Sequence, residues 1–295
     1  MDTKHVRAGV LIGLLFLSAC VAEKGLNKPK YEYKETIELV ALVDDAVDLI
    51  KKNGEDCFPE FRKKDSKWQH DDLYIFVWGL DGMRFVYPPD PEGEGKNMLD
   101  LKDINGKPIG RMFVKEVSGK KGEGWVHYEW PKPGEVTPTW KSTYLKRAKA
   151  PSGKVYLIGS GLYNMKCEKE FIVGAVDNAV ELLKEKGLNA IGEMRLSASE
   201  FVFLDSYVFI KDMEGNEILN PAFPDLEGQN LYGLQDSNGK YFIREELELL
   251  RTQDECWMEY MWPKPGESEP SGKLVYMRKV NVDNKILVVG AGYFP

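Results

Sequence analysis

Tyr128 and Trp130 stand two residues apart in a run rich in aromatic and β-branched residues, so on a strand their side chains share one face. Tyr260 and Trp262 repeat the arrangement later in the chain, and each pair is followed by a lysine and a tyrosine: Lys141 and Tyr144, then Lys273 and Tyr276. An aromatic wall with an ammonium group and a phenol hydroxyl suits a small carboxylate, giving it an apolar surface, one charge partner and one orienting hydrogen bond. The same residue types also serve as sheet core, and the Trp-Pro-Lys-Pro turn after each pair is expected to serve packing. Arg111 and Arg244 are equivalent as well, in short helical segments where a solvated face is expected.

Other chemistries find no support. Of three histidines, His5 lies in the apolar leader, His70 in a polar loop, and His127 is matched by Glu259 in the second half. No zinc-protease, nucleophile-elbow, phosphate-loop or dinucleotide pattern occurs, and no catalytic residue, cofactor or metal site is expected. Asp71-Asp72 and Glu245-Glu246 read as a solvated edge and a solvated helix face. Gly159-x-Gly161 and Gly290-x-Gly292 end a strand without opening a helix, which reads as turns. Cys57, Cys167 and Cys256 show no C-x-x-C spacing, so buried thiols are expected, and one bridge among them stays open. A net charge of −7 and a pI near 5.3 exclude a nucleic-acid surface, which needs a basic footprint.

The positions above recur because the chain repeats itself. Val43-Asp-Asp-Ala-Val47 returns as Val176-Asp-Asn-Ala-Val180, 133 residues later, and the same offset carries Tyr74 to Tyr207, Phe76 to Phe209, Gly82 to Gly215, Pro88 to Pro221 and Asn97 to Asn230. Asp103-x-Asn105-Gly106-Lys107 matches Asp236-x-Asn238-Gly239-Lys240. Trp125-x-x-Tyr128-x-Trp130-Pro-Lys-Pro-Gly-Glu135 matches Trp257-x-x-Tyr260-x-Trp262-Pro-Lys-Pro-Gly-Glu267, eight identities in eleven, at an offset of 132. Lys154 to Gly161 then matches Lys285 to Gly292 at 131. Two copies of one domain follow, over 35–165 and 166–295.

Each copy opens with a helix. Leu39, Val40, Val43, Val47 and Ile50 step by three and four before Asn53-Gly54, and Ile172, Val176, Val180 and Leu183 do so before Gly187. Leu73 to Trp78 and Val202 to Ile210 show little polar alternation, as strands covered on both faces do, with hairpin turns at Asp81-Gly82 and Glu214-Gly215. Helix first and antiparallel strands afterwards make an α+β domain with the helix on one sheet face.

The W-x-x-Y-x-W-P-K-P-G-E run, the K-x-x-Y that follows with a basic residue two later, the final strand with G-x-G, and the D-x-N-G-K turn together resemble the single Cache domain of the second type. The likeness covers both copies, from about Glu35 to Tyr163 and from Phe171 to Phe294. It implies two PAS-like antiparallel sheets, each behind a long helix, and an extracytoplasmic pocket for a small organic acid or related metabolite. It also implies signalling, whereas this chain carries no cytoplasmic output module, so output requires a partner such as a membrane receptor, kinase or transporter.

The amino terminus suits that location. Lys4 and Arg7 precede an apolar run from Val10 to Leu17, too short for a permanent span at about 20 residues, and Leu17-Ser18-Ala19-Cys20 resembles a bacterial lipobox. Residues 1–19 are expected to be a signal peptide, Cys20 the lipidated residue, and 20–34 a polar tether holding the protein to a membrane. The expected function is an extracytoplasmic lipoprotein that binds a small metabolite and senses it for a partner. The alternative is a structural or assembly lipoprotein whose ligand-free domains mediate protein contacts only.

Overall fold

The computed structural model describes residues 30–295, so the leader and Cys20 lie outside the described residues. The first long helix, Lys34–Asn53, buries Leu39, Val43, Ala46, Val47 and Ile50 along one stripe, as their spacing predicts. It stops where Gly54 takes φ 61° and its N–H bonds back to the carbonyl of Ile50. Lys169–Lys186 in the second half ends the same way, with Gly187 at φ 60° bonded to Leu183. Full burial of each such aliphatic side chain contributes about 1.5–3 kcal/mol, so the stripe decides which face meets the sheet.

The first sheet runs Arg84–Val86, Phe76–Gly79, Val155–Tyr163, Pro138–Lys149, Glu123–Pro131, antiparallel throughout. The second repeats this order with Glu217–Leu219, Ser206–Asp212, Lys285–Tyr293, Pro270–Val282 and Glu255–Pro263, and adds Val202–Phe203 beside Ser206–Asp212. The α+β expectation, helix on one face of an antiparallel sheet, is what the chain forms. The opposite face is covered by a loop and a shorter helix, Ile109–Ser118 in the first unit and Phe242–Thr252 in the second.

Strand parity sorts the residues. Tyr128 pairs across the ladder with Lys141, and Lys141 with Tyr163, so these three share the loop-covered face with Tyr74, Phe76 and Trp78. Tyr144 points to the helix side, in the same core as Leu39 and Val43. That helix-side core continues from one unit into the next. His127 stacks on Phe203 at 4.6 Å and Phe171 packs on Trp125 at 4.7 Å, with the His127 Nδ1 and Ser142 Oγ 2.8 Å apart. Burial, with the charge of Lys107 second, pushes the His127 pKa down to about 3.

Three sequence expectations change here. Gly159 and Gly161 are not turns but mid-strand residues of Val155–Tyr163: a Cβ on Gly159 would meet Phe76 at 2.4 Å, and one on Gly161 would meet Thr143 Oγ1 at 2.3 Å. Glycine there makes room for side chains of neighbouring strands. Glu246 is not on a solvated face but fully buried, paired with Lys211. The tether read over 20–34 does not stay free to its end, because Tyr31 is buried under Trp125 and the backbone N–H groups of Glu32 and Tyr33 donate to the Glu168 carboxylate at 2.8 and 3.0 Å. Among the described residues no disulfide forms, and no helix is long and apolar enough to cross a membrane.

Candidate functional site

A cavity of about 270 Å³ opens between the first sheet and the loop that covers it. Strand residues Tyr74, Phe76, Trp78, Tyr128, Trp130 and Tyr163 form its floor and walls, Leu101, Ile109 and Phe113 its cover, and Arg84, Asp90 and Lys132 its polar edge. Aromatic packing fixes the shape: Phe113 stacks on Phe76 at 5.6 Å and touches Trp78 at 5.3 Å and Tyr128 at 5.5 Å. Arg84 is held by Asp90 at 3.2 Å and by the Gly93 carbonyl at 3.0 Å, while Lys132 pairs with Asp72 at 3.0 Å.

Beneath this floor lies Lys141, 1% exposed. Its Nζ donates to the Tyr74 hydroxyl at 2.9 Å and the Tyr163 hydroxyl at 3.3 Å, and lies 4.3 and 4.5 Å from the centres of the two rings. Among the described residues no carboxylate pairs with it. Burial lowers its pKa to about 7, against a smaller opposing pull from the charge of Asp72. Because Tyr163 donates its own proton to the Pro131 carbonyl at 2.8 Å, it only accepts from Lys141. Tyr74 also accepts from Lys141, which leaves its proton for Tyr87, 3.5 Å away, or for something in the cavity. The indole N–H of Trp78 is buried with no acceptor among the described residues.

Of the residues singled out from the sequence, Tyr128 and Trp130 line the cavity and Lys141 backs it. Tyr144 does not take part. It lies three positions along from Lys141, an odd step, so on a strand the two face opposite ways, and Tyr144 is core on the helix side. Tyr276 is displaced for the same reason, with its hydroxyl bonded to Glu255. The Trp-Pro-Lys-Pro turn does more than pack, since Trp130, Pro131, Lys132 and Pro133 all reach the cavity. Arg111 pairs with Asp100 on the surface, as expected of a solvated residue, and Arg244 lies 4.1 Å from the Tyr241 ring. Tyr74, Trp78, Arg84, Tyr87, Phe113 and Tyr163 were not singled out by sequence reasoning.

The second unit keeps the frame without the space. Tyr260, Trp262 and Lys273 occupy the places of Tyr128, Trp130 and Lys141, with the Trp262 indole bonded to Tyr207 at 3.2 Å, yet only about 20 Å³ remains between them. Phe242 lies flat on Tyr260, ring centres 4.1 Å apart, where Ile109 stands in the first unit.

The Cache-domain family model matches residues 62–194 and again 177–293, which together take in most of the chain. The chain belongs to the Cache-domain family. A curated relative, the methyl-accepting chemotaxis protein McpP of Pseudomonas putida, is 34% identical over 132 residues, 41% of this chain and 24% of the relative. The match thus spans about a quarter of that protein's length. Among solved structures, a Cache chemosensory domain studied for carboxylic acid recognition is 23% identical, covers 44% of this chain and 94% of its own, and superposes with a TM-score of 0.38. The ligand-binding domain of the Pseudomonas fluorescens chemoreceptor CtaA, solved with L-serine, is 13% identical over 86% of this chain and 87% of its own, with a TM-score of 0.31.

Proposed function

We propose that this chain is an extracytoplasmic sensor lipoprotein whose first Cache unit binds a small metabolite bearing a carboxylate and presents the bound state to a membrane partner. Lys141 carries the reading. A buried amino group hydrogen-bonded only to neutral phenols lacks the counter-charge that such groups normally require. A ligand carboxylate accepting from Tyr74, with Lys141 behind it, supplies that charge. The apolar remainder of the ligand fits between Phe76, Trp78, Phe113 and Tyr128, and the volume, near the lower end of the roughly 300–1,000 Å³ usual for ligand pockets, selects a small molecule. The likeness to a methyl-accepting chemotaxis protein supports sensing. A module used for contacts alone has no need of an open aromatic cavity with an unpartnered indole N–H in its wall.

Anchoring at Cys20 and relay to a receptor, kinase or transporter belong to the same proposal, resting on the lipobox resemblance and on the likeness to a chemotaxis protein. Calorimetric titration of the mature protein with short-chain mono- and dicarboxylates and hydroxy acids tests the ligand. At least one binds, and Tyr74→Phe weakens it. If none binds across the panel, the contact-only role replaces this one.

A further inference from the structure

In the second unit, three positions that wall the first cavity have changed character. At the offset of 133, Trp78 becomes Lys211, Arg84 becomes Glu217 and Phe113 becomes Glu246, while Lys273, at the later offset of 132, keeps the place of Lys141. All four are buried: Lys211 is 2% exposed, Glu217 3%, Glu246 0% and Lys273 1%. Glu246 descends from the covering helix Phe242–Thr252, and one of its oxygens accepts from the Lys211 ammonium. Its other oxygen has no partner among the described residues. Glu217 accepts from Asn220 at 2.8 Å through one oxygen, and its second is likewise unpartnered. Lys273 stands over the Tyr207 ring at 4.1 Å, as Lys141 stands over Tyr74.

We infer that the second unit is a carboxylate site already occupied in cis, with Glu246 as its ligand. Two buried ammonium groups at the floor of this fold are disfavoured without counter-charge. The first unit leaves that role open and keeps about 270 Å³ of space, whereas the second fills the role from its own helix and keeps room for about one water. Beyond its Cβ, Glu246 is a CH2–COO⁻ group, the same heavy atoms as acetate. While it is present the second unit takes no free metabolite. Truncated to alanine, it leaves a gap of acetate's shape beside Lys211, and a short free carboxylate can enter. This inference concerns only the second unit and holds whatever the first unit binds.

The test melts the full mature chain as wild type, Glu246→Ala and Glu246→Gln, in sodium acetate and in sodium chloride of equal ionic strength. Acetate should raise the melting temperature of Glu246→Ala by at least about 3 °C beyond its effect on the wild type. Glu246→Gln, with the volume still filled, should show no such excess. Acetate held by the first unit acts on all three proteins and cancels, so failure here and failure of the first-unit reading are separable. An equal acetate effect in the wild type and Glu246→Ala overturns the inference. Should Glu246→Ala fail to fold in chloride, refolding from urea decides: recovery of a cooperative transition in acetate alone supports the inference, and failure in both salts overturns it.

Discussion

Lys141 donates a 2.9 Å hydrogen bond to the hydroxyl of Tyr74, across the intervening Val155–Tyr163 strand. By accepting from the ammonium, Tyr74 keeps its own proton for Tyr87 or for a ligand, so in the proposed complex a lysine that does not itself line the cavity sets what the cavity binds. A hydrogen bond to a charged group contributes about 1.5–3 kcal/mol. Lys141→Met should therefore weaken carboxylate binding by at least about 10-fold. The apoprotein should not melt lower, because methionine fills the space without a buried charge. Calorimetry and a melting curve on the same sample check both outcomes, and unchanged affinity rejects the clamp.

Binding should depend on pH in a fixed direction. The free-protein pKa of Lys141 is depressed to about 7, and a ligand carboxylate favours the charged form and raises it. Below pH 7 the ammonium is already present. Above it, binding must first recruit a proton, so affinity should fall by up to about 10-fold per pH unit until the pKa of the complex is reached. Titrations in buffers of different ionisation enthalpy should report proton uptake at pH 8 and little at pH 6. A flat profile from pH 6 to 9 contradicts a charged role for Lys141.

The second unit should be silent toward the metabolite. Lys273→Met leaves the open cavity untouched and removes an amino group whose pKa burial lowers to about 7, with the charge of Lys211 acting the same way. The metabolite affinity of this variant should stay within about twofold of wild type, well under the tenfold that 1.4 kcal/mol represents. A tenfold loss would assign the ligand to the wrong unit.

Gly161 should resist any side chain. A Cβ there meets Thr143 Oγ1 at 2.3 Å, the Ser142 carbonyl at 2.8 Å and Lys141 Cε at 3.0 Å, and the backbone carbonyl cannot step aside cheaply. Gly161→Ala should cost about 1–3 kcal/mol of stability and lower ligand affinity through the displaced lysine, as a urea melt and a titration would show. Full stability would mean the two strands part more easily than their ladder implies.

Residues 35–165 and 166–295, expressed separately, should each unfold cooperatively, since each holds a helix and a full sheet. Both should melt below the whole chain, because the cut exposes Trp125, His127 and Phe171 and neither half carries Glu32 and Tyr33, whose N–H groups hold the Glu168 carboxylate. Non-cooperative melting of both halves would make the repeat one inseparable domain.

Much of this is legible in the sequence. The offset of 133 exposed the duplication, and Gly54 and Gly187 marked helix ends that the backbone confirms with positive φ. Tyr128 and Trp130 announced a shared face through their spacing alone. Tyr144 was misplaced although the same parity rule excludes it from the face of Lys141. The covering residues were harder to see: Leu101, Ile109 and Phe113 belong to a loop and helix whose position depends on the finished sheet, and no local period reports it. One signal is in the sequence. Aligning the copies sets Trp78 against Lys211 and Phe113 against Glu246, and apolar-to-ionic exchange at positions that look like core marks where the two cavities differ.

The turn after Leu101 ties the cover of the first cavity to both sheets. Asp103 ties it to the sheet through the N–H of Glu129, and Lys107 extends 2.8 Å from the carbonyl of Val202, at the start of the second unit's strands. Leu101 and Ile109 flank that turn and wall the cavity. Ile109 stands two residues from Lys107, so a ligand touching it in the proposed complex lies next to a hydrogen bond that reaches the neighbouring unit. That contact links sheet to sheet directly and does not run through Lys169–Lys186, the helix that opens the second unit.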